Sequence, residues 1–585
     1  MHYPGLKAPQ TSRQMVDVFR GYDHNPRIPE GAFYEMENMS SRRYPILCPR
    51  QRRSVYARPS SCGGIIAKDV LCYVDGADFV MGTRRVPMEL SQGEKKLVSM
   101  GGYVVIFPDK KYVNTADPED FGPLEAVYSS AGKAVSLRPC DLEGNVYAGA
   151  SVSADPPEDP ENLELWVDTN QTPHVLKRYA ATSEMWVSIA TTYVKISAPG
   201  IGKDFQKYDG VTVSGIRGEG LEALNMATVI WGCEEDSIIV PGLVDELFLQ
   251  LDAPVVGGED RSITVARTLP EMDFVIESGN RLWGCRYGLS AKGEMVNEIY
   301  ASKLGDFRNW NCFMGLSTDS YAAGCGSDGP FTGAFTQGQP LFFKENCIHR
   351  VYGTIPANFQ IQTVSCRGVQ NGCQGSLANV GGTLLYKSPG GVCAWDGGMP
   401  TEIGQALGGV FYKNARAGAL GNKYYISMED GKGKWHLFVY DKARGLWHRE
   451  DAFRSDGFAG CNGELYALKD NVIWAITGSE GEREAPISWM VETGPLGMEL
   501  ADRKYVSSLA VRLSMEPGSQ VRISIRYDSL GGWEHICTLT GRELRSFSLP
   551  VRPRRCDHLQ LRLEGRGDAG IYSIVKTLER GSDRM

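Results

Sequence analysis

Between Val380 and Thr477 one short pattern comes round three times, and a repeat of this kind restricts the fold more than any other feature of the chain. Val380-Gly-Gly-Thr-Leu-Leu-Tyr386, Leu420-Gly-Asn-Lys-Tyr-Tyr-Ile426 and Cys461-Asn-Gly-Glu-Leu-Tyr-Ala467 each set a Gly or Asn pair before an apolar run. A tryptophan-bearing run follows each: Gly391-Val-Cys-Ala-Trp-Asp396, Trp435-His-Leu-Phe-Val-Tyr440 and Asn471-Val-Ile-Trp-Ala-Ile476. Gly and Asn tolerate the positive φ of a two-residue hairpin, and the flanking β-branched and aromatic residues suit a pleated surface. Each copy is a β-hairpin. The spacing of roughly 40 residues is that of four-stranded propeller blades, which cover one another's faces because a lone unit cannot bury both.

A chain of 585 residues holds more than one domain, and propellers are large, so two or three are expected. With 68 glycines, 10% aromatic and 23% charged residues, the composition is that of a β-rich protein with many tight turns. The net charge of −8 gives no bulk attraction to nucleic acid or anionic membrane. Met1–Gln10 has no apolar core and no run of about 20 apolar residues follows, so no leader, anchor or membrane span is expected and the chain is read as cytoplasmically folded. Its 15 cysteines include no C-x-x-C, which favours buried free thiols over zinc or redox chemistry.

Taken in order, residues 1–60 form an extended N-terminal arm broken by Pro and Gly. Residues 61–124 hold the first blades, with Asp75-Gly76 and Pro108-Asp109 as hairpin turns. At about 125–260 the blade rhythm stops: the proline-acid loop Ala154-Asp-Pro-Pro-Glu-Asp-Pro-Glu161 precedes short strand-like runs, predicting an inserted small β-barrel or sandwich domain. Blades resume over 261–480, one of them including Trp310. In 481–585, Val521–Tyr527 and His558–Glu564 alternate apolar and polar residues strictly, as in a C-terminal β-sandwich. The expected fold is all-β: a β-propeller of about six to eight blades with these two additional β domains.

Catalytic spacing is absent. There is no G-x-x-x-x-G-K-[ST], H-E-x-x-H or G-x-S-x-G, and Pro199-Gly-Ile-Gly-Lys203 is a superficial echo of a phosphate loop better read as a turn. Cys556-Asp557-His558 alternates across a strand and cannot form a relay. A propeller glycosidase needs only two opposed carboxylates, but Asp273, Asp306, Asp328, Asp396 and Asp441 fall mostly in turns. Trp283, Trp395, Trp435 and Trp474 recur in register and read as blade-packing residues rather than sugar platforms. No cofactor, metal or catalytic set is expected, and the chain is read as a non-enzyme. The strongest charge cluster is Arg42, Arg43, Arg50, Arg52 and Arg53, suited to DNA phosphate or an acidic partner; the plainer reading is an arm pinned to the protein's own carboxylates.

The stretch Gly21–Arg53, with its Pro29-Glu-Gly31 entry, Met36-Glu-Asn38 piece and closing Pro49-Arg50, resembles the beginning of β-propeller virion proteins of tailed bacteriophages, the tail nozzle of short-tailed phages being the nearest analogue. That resemblance implies a virion tail protein, made in the bacterial cytoplasm, forming a ring of about six copies on other tail or head-tail adaptor proteins, through which genomic DNA passes. The alternatives are a receptor-binding or baseplate protein recognising host-surface glycan, and a propeller glycoside hydrolase.

Overall fold

Each of the three repeats folds as the hairpin its turn residues dictate. Gly381 and Gly382 (φ 54° and 82°), and Asn462 and Gly463 (φ 50° and 79°), carry the left-handed backbone that two-residue turns need. The all-β expectation is met in the computed structural model, which describes residues 11–580 apart from 148, 173, 190–191, 218–220, 243–254, 257–261, 291, 317–318, 501–502 and 542. Met1–Gln10, on which part of the expectation of a missing leader rests, lies outside the described residues. Among those residues no helix is long and apolar enough to cross a membrane.

The hairpins extend into seven sheets in cyclic order. Six are made of consecutive strands, opening with Cys62–Ala67, Lys96–Met100, Phe274–Ser278, Gly333–Thr336, Ala378–Val380 and Tyr412–Leu420. The seventh joins Gly457–Cys461, Glu464–Lys469 and Val472–Ala475 to Ser54–Ala57 from the arm, which also pairs with Glu482–Arg483. Opening strands of neighbouring sheets touch, the fourth sheet reaches the fifth through Gln374–Ser376, and the seventh meets the first, so the ring is closed. Aliphatic and aromatic faces fill the gaps between sheets; Leu282, Tyr300 and Trp310, for example, pack with Val105 and Leu124. Trp310, grouped with this sheet's strands in the sequence, precedes the short helical turn Asn311–Met314, and Tyr321–Gly324 supplies that sheet's fourth strand.

A buried polar knot stiffens the fourth sheet. The Ser327 hydroxyl and the Nε2 of His349 lie 2.8 Å apart, and the Nδ1 of His349 lies 2.9 Å from the Thr363 hydroxyl. Burial, with the Lys344 ammonium nearby, lowers the His349 pKa to about 4, so this imidazole is neutral near pH 7. Lys344 donates to the Ser327 carbonyl at 2.8 Å and to the Asn297 side chain at 3.1 Å.

Between Phe121–Pro123 and Phe274–Ser278 the chain leaves the ring and forms three further sheets, among them Ala126–Ser129 with Thr264–Arg267, and Thr192–Ser197 with Ser237–Gly242. The first two share a core of Val194, Ile196, Val211, Val213, Ile238 and Val240.

The arm is woven into the C-terminal half rather than laid over it. Thr11–Val16 pairs with Ala569–Arg580, and Ala32–Glu37 pairs with Ser488–Thr493. Met39–Arg43 and Ile46–Pro49 form a hairpin whose second strand meets Ala569–Arg580 at Leu47. The result is a seven-stranded and a six-stranded sheet, each containing arm strands. Phe19, Tyr22, Phe33, Met36 and Met39 join ring residues such as Phe343 and Phe438 to Val511, Ile523 and Leu563 in one continuous core. The cysteines are free thiols, mostly buried.

Candidate functional site

The five arginines that the sequence offers as an anion-contacting set separate once folded. Arg53 is 2% exposed, with Nη2 at 2.6 Å from Glu450 and Nη1 at 2.8 Å from Asp451, and its guanidinium lies over the Phe453 ring. Burial alone would raise the Asp451 pKa, but Arg53 and Arg50 overcome it and hold the carboxyl at about 2. Arg50, also buried, pairs with Glu484 and Asp451 and donates from Nε to Asn38 at 2.7 Å. Arg42 and Arg43 both bind Asp568, at 2.5 and 2.6 Å. Arg50 and Arg53 are therefore not surface contacts: the carboxylates that neutralise them come from the ring and from the segment leading out of it.

Arg52 is different. It is exposed, and its Nε donates to the Glu484 carbonyl at 2.6 Å. With Arg42, Arg50 and Arg483 it lines a cleft of about 250 Å³ at the seam between arm, ring and C-terminal sheets, where Glu516 and Asp568 also appear.

The carboxylates weighed for glycosidase chemistry are mostly held in separate local contacts. Asp273 is held by Arg286 (2.7 Å) and the Tyr287 amide, and Asp306 accepts from the Arg308 amide. Asp396 caps the Gly398 amide, and buried Asp441 accepts from the Ser41 hydroxyl at 2.6 Å. Asp328 is exposed in a loop. No two of them share a hydrogen-bond or ion-pair partner among the described residues. Across the ring, Glu94 approaches Arg416 at 3.6 Å, linking the second and sixth sheets. Among the expected packing tryptophans Trp283 and Trp395 are buried, whereas Trp435 and Trp474 are partly exposed. His558 meets Ser529 at 2.7 Å, and Asp557 lies 3.6 Å from Arg503.

A set that sequence reasoning missed lies where the inserted sheets meet the ring. Tyr193, Trp231 and Tyr208 stand in a row with ring centroids 6.1 and 5.9 Å apart, crossing edge to face. Tyr193 belongs to Thr192–Ser197, Trp231 precedes Gly232–Glu234, and Tyr208 precedes Gly210–Ser214. Tyr208 is 42% exposed and adopts φ +73°, a left-handed conformation that costs an aromatic residue about 1 kcal/mol or more. Two contacts hold it there. Its carbonyl accepts from Asn309 of the ring at 2.9 Å, and its amide donates to Ile230 at 2.6 Å. The next residue, Asp209, is buried against Arg267 at 2.5 Å. Burial raises the Asp209 pKa and Arg267 opposes the rise.

The Nζ atoms of Lys207 and Lys303 lie 5.1 and 5.4 Å from the Tyr208 ring centroid. No carboxylate of the described residues pairs with either ammonium, or with that of Lys203. A cleft of about 450 Å³ is lined by Lys203, Phe205, Gln206, Lys207, Glu234 and Glu235 among others, and Lys207 is common to it and to the Tyr208 ring. Half-exposed rings offer apolar faces to a flat ligand, ammonium groups offer charge, and Gln206 and the glutamates accept hydrogen bonds from hydroxyls. Lys203 closes the Pro199–Lys203 turn, whose sequence echoes a phosphate loop without its fold. The only local signal of the row was Lys207-Tyr208 beside a turn; Tyr193, in a strand, and Trp231, between two strands, are brought to it by tertiary pairing alone.

No family model matches the chain, and no curated protein matches it significantly. Solved structures do align with it. The exo-β-1,3-galactanase of Phanerochaete chrysosporium, in complex with galactose, aligns at 7% identity over 52% of this chain and 94% of its own, with a TM-score of 0.22. A bifunctional GH43-CE protein of Bacteroides eggerthii aligns at 9% identity over 53% of this chain and 62% of its own, with a TM-score of 0.20. At such scores no residue of this chain is matched to a catalytic one. The expectation of a non-enzyme is nevertheless corrected, because the aligned galactanase is a glycan-cleaving enzyme and propeller glycosidases need no linear motif.

Proposed function

We propose that this chain is a glycan-engaging protein in which a seven-bladed β-propeller carries the inserted β domain and the C-terminal β-sandwich. The observation that carries this reading is the row Tyr193–Trp231–Tyr208 beside its cleft, with a strained, exposed tyrosine under two unpaired ammonium groups. Strain persists where the surrounding fold over-determines it, and such residues cluster at ligand sites. The test is a glycan array with the purified chain, joined to an assay for reducing ends released from the glycans it retains. Retention lost in Trp231→Ala supports the reading, and release of reducing ends adds hydrolysis to it. No retention of any glycan at millimolar concentration overturns it.

A second reading, a ring-forming tail component of a bacteriophage particle on the axis of DNA exit, is supported by a different observation. The stretch that resembles phage virion proteins is the one that welds ring and C-terminal sheets through a shared core and buried ion pairs. A part that transmits force benefits from such a seam. Native mass spectrometry, alone and with tail or adaptor proteins, tests it: a discrete closed ring of about six copies supports the reading, and a persistent monomer overturns it.

A further inference from the structure

We infer that copies of this chain join head to tail by seating the acidic proline loop Asp155–Glu161 of one copy in the arginine cleft of the next. This rests on the ring-forming reading above and assigns the contact that would build such a ring.

Two surfaces of opposite charge lie far apart in the sequence, and each is unsatisfied within one chain. In the cleft, Arg52 is fixed by its Nε on the Glu484 carbonyl, and Arg483 by its Nε on the Gly478 carbonyl at 2.9 Å. That leaves the terminal nitrogens of both side chains without a carboxylate partner among the described residues. Of the two acids that share the cleft, one is neutralised by arginine. Asp568 is neutralised by Arg42 and Arg43, and Glu516 accepts from the Asp568 amide at 3.2 Å. Pro49, Pro486 and Ile487 complete the wall, so the cleft carries apolar as well as cationic side chains.

The loop has the matching composition. Asp155, Glu158, Asp159 and Glu161 are exposed and make no ion pair among the described residues, and Pro156, Pro157 and Pro160 alternate with them. It carries no regular secondary structure and is anchored at its root, where the Ala154 carbonyl accepts from Asn170 at 2.5 Å. Proline fixes φ, so such a loop loses little entropy on docking. Its prolines fit the apolar wall and its carboxylates the two guanidinium groups, which bind carboxylate in a two-pronged geometry. Because the two surfaces differ and each copy has one of each, the contact is heterologous and propagates until the rotation closes it into a ring.

Charge reversal tests the assignment by native mass spectrometry and light scattering of the full chain. Arg52→Glu with Arg483→Glu in one variant, and Glu158→Arg with Asp159→Arg in another, are each expected to weaken self-association at least tenfold. Both sites are exposed, and unchanged circular dichroism and melting temperature verify that the variants fold. An equimolar mixture of the two restores assembly, since each contact then pairs opposite charges, as does a single chain carrying all four substitutions. Rings unaffected by either reversal, or no rescue in the mixture, overturn this interface while the ring reading stands. A wild-type chain that remains monomeric overturns both.

Discussion

The arm seam and the aromatic row use the same kinds of side chain to opposite ends. At the seam, Arg53 stacks on Phe453 and is sealed between Glu450 and Asp451. At the row, Lys207 and Lys303 flank Tyr208, half in water and without a carboxylate. Cation over ring is common to both, and only burial and pairing differ. A cation enclosed with its counter-charges has nothing left to offer a ligand, whereas one left solvated beside an exposed ring keeps its capacity to bind. The difference shows why a run of arginines in sequence is a poor guide to a contact surface.

Removing the sealed cation is the largest perturbation expected. Arg53→Ala takes the sealed cation from buried Glu450 and partly buried Asp451, leaving them only Arg50, and should cost about 3–5 kcal/mol in urea unfolding, against under about 0.5 kcal/mol for Lys207→Ala. Equal losses would erase the distinction between the two regions. Acid comes next. His349 is neutral in the fold to about pH 4, whereas an unfolded histidine takes its proton near pH 6.5. Stability is therefore full above pH 6.5, falls as pH drops toward 4, and the loss attributable to this residue is about 3 kcal/mol. Asp451, depressed to about 2, adds its own loss only below its ordinary value of 3.8. Denaturant midpoints across pH 7 to 3 should show the upper step shrink in His349→Gln, the remainder coming from His448, whose pKa burial lowers to about 3, while the lower step persists.

The third prediction sharpens the contrast by reversing its sign. Tyr208→Gly relieves the left-handed backbone and should leave stability unchanged or raise it by up to about 1 kcal/mol while abolishing glycan retention. Loss of both would place Tyr208 among the packing residues. A small effect is also expected for Arg43→Ala, whose partly exposed pair with Asp568 is worth under about 1 kcal/mol. Thermal melts resolve it from Arg53→Ala easily.

The hairpins were legible because their information is local: Gly381, Gly382, Asn462 and Gly463 announce turns that need no distant partner. The arm was legible only as extended chain. Ala32–Glu37 finds its ladder at Ser488–Thr493, and nothing within the arm specifies a partner so remote in sequence. Trp310 reads in the sequence only as part of a blade; its indole nitrogen donates to the Phe307 carbonyl and ties it into a turn. The aromatic row escaped for a related reason: Tyr193 lies in a strand and Tyr208 and Trp231 on connections, with no common period, and only sheet pairing brings them together.

The closing of the ring by Ser54–Ala57 also sets an order in time. That strand has no partner until Val472–Ala475 has been made, and Thr11–Val16 has none until Ala569–Arg580 emerges. At about 5–20 residues per second, roughly half a minute to two minutes of synthesis separate the first strand from its ladder. Throughout that interval the arm is unfinished edge, open to a chaperone and to mispairing with a neighbouring nascent chain. The cleft that unites Arg52, Arg483, Glu516 and Asp568 comes into being only at the end. A truncated product therefore never displays it, and the surface inferred to receive another copy doubles as a certificate that the ribosome has passed residue 568.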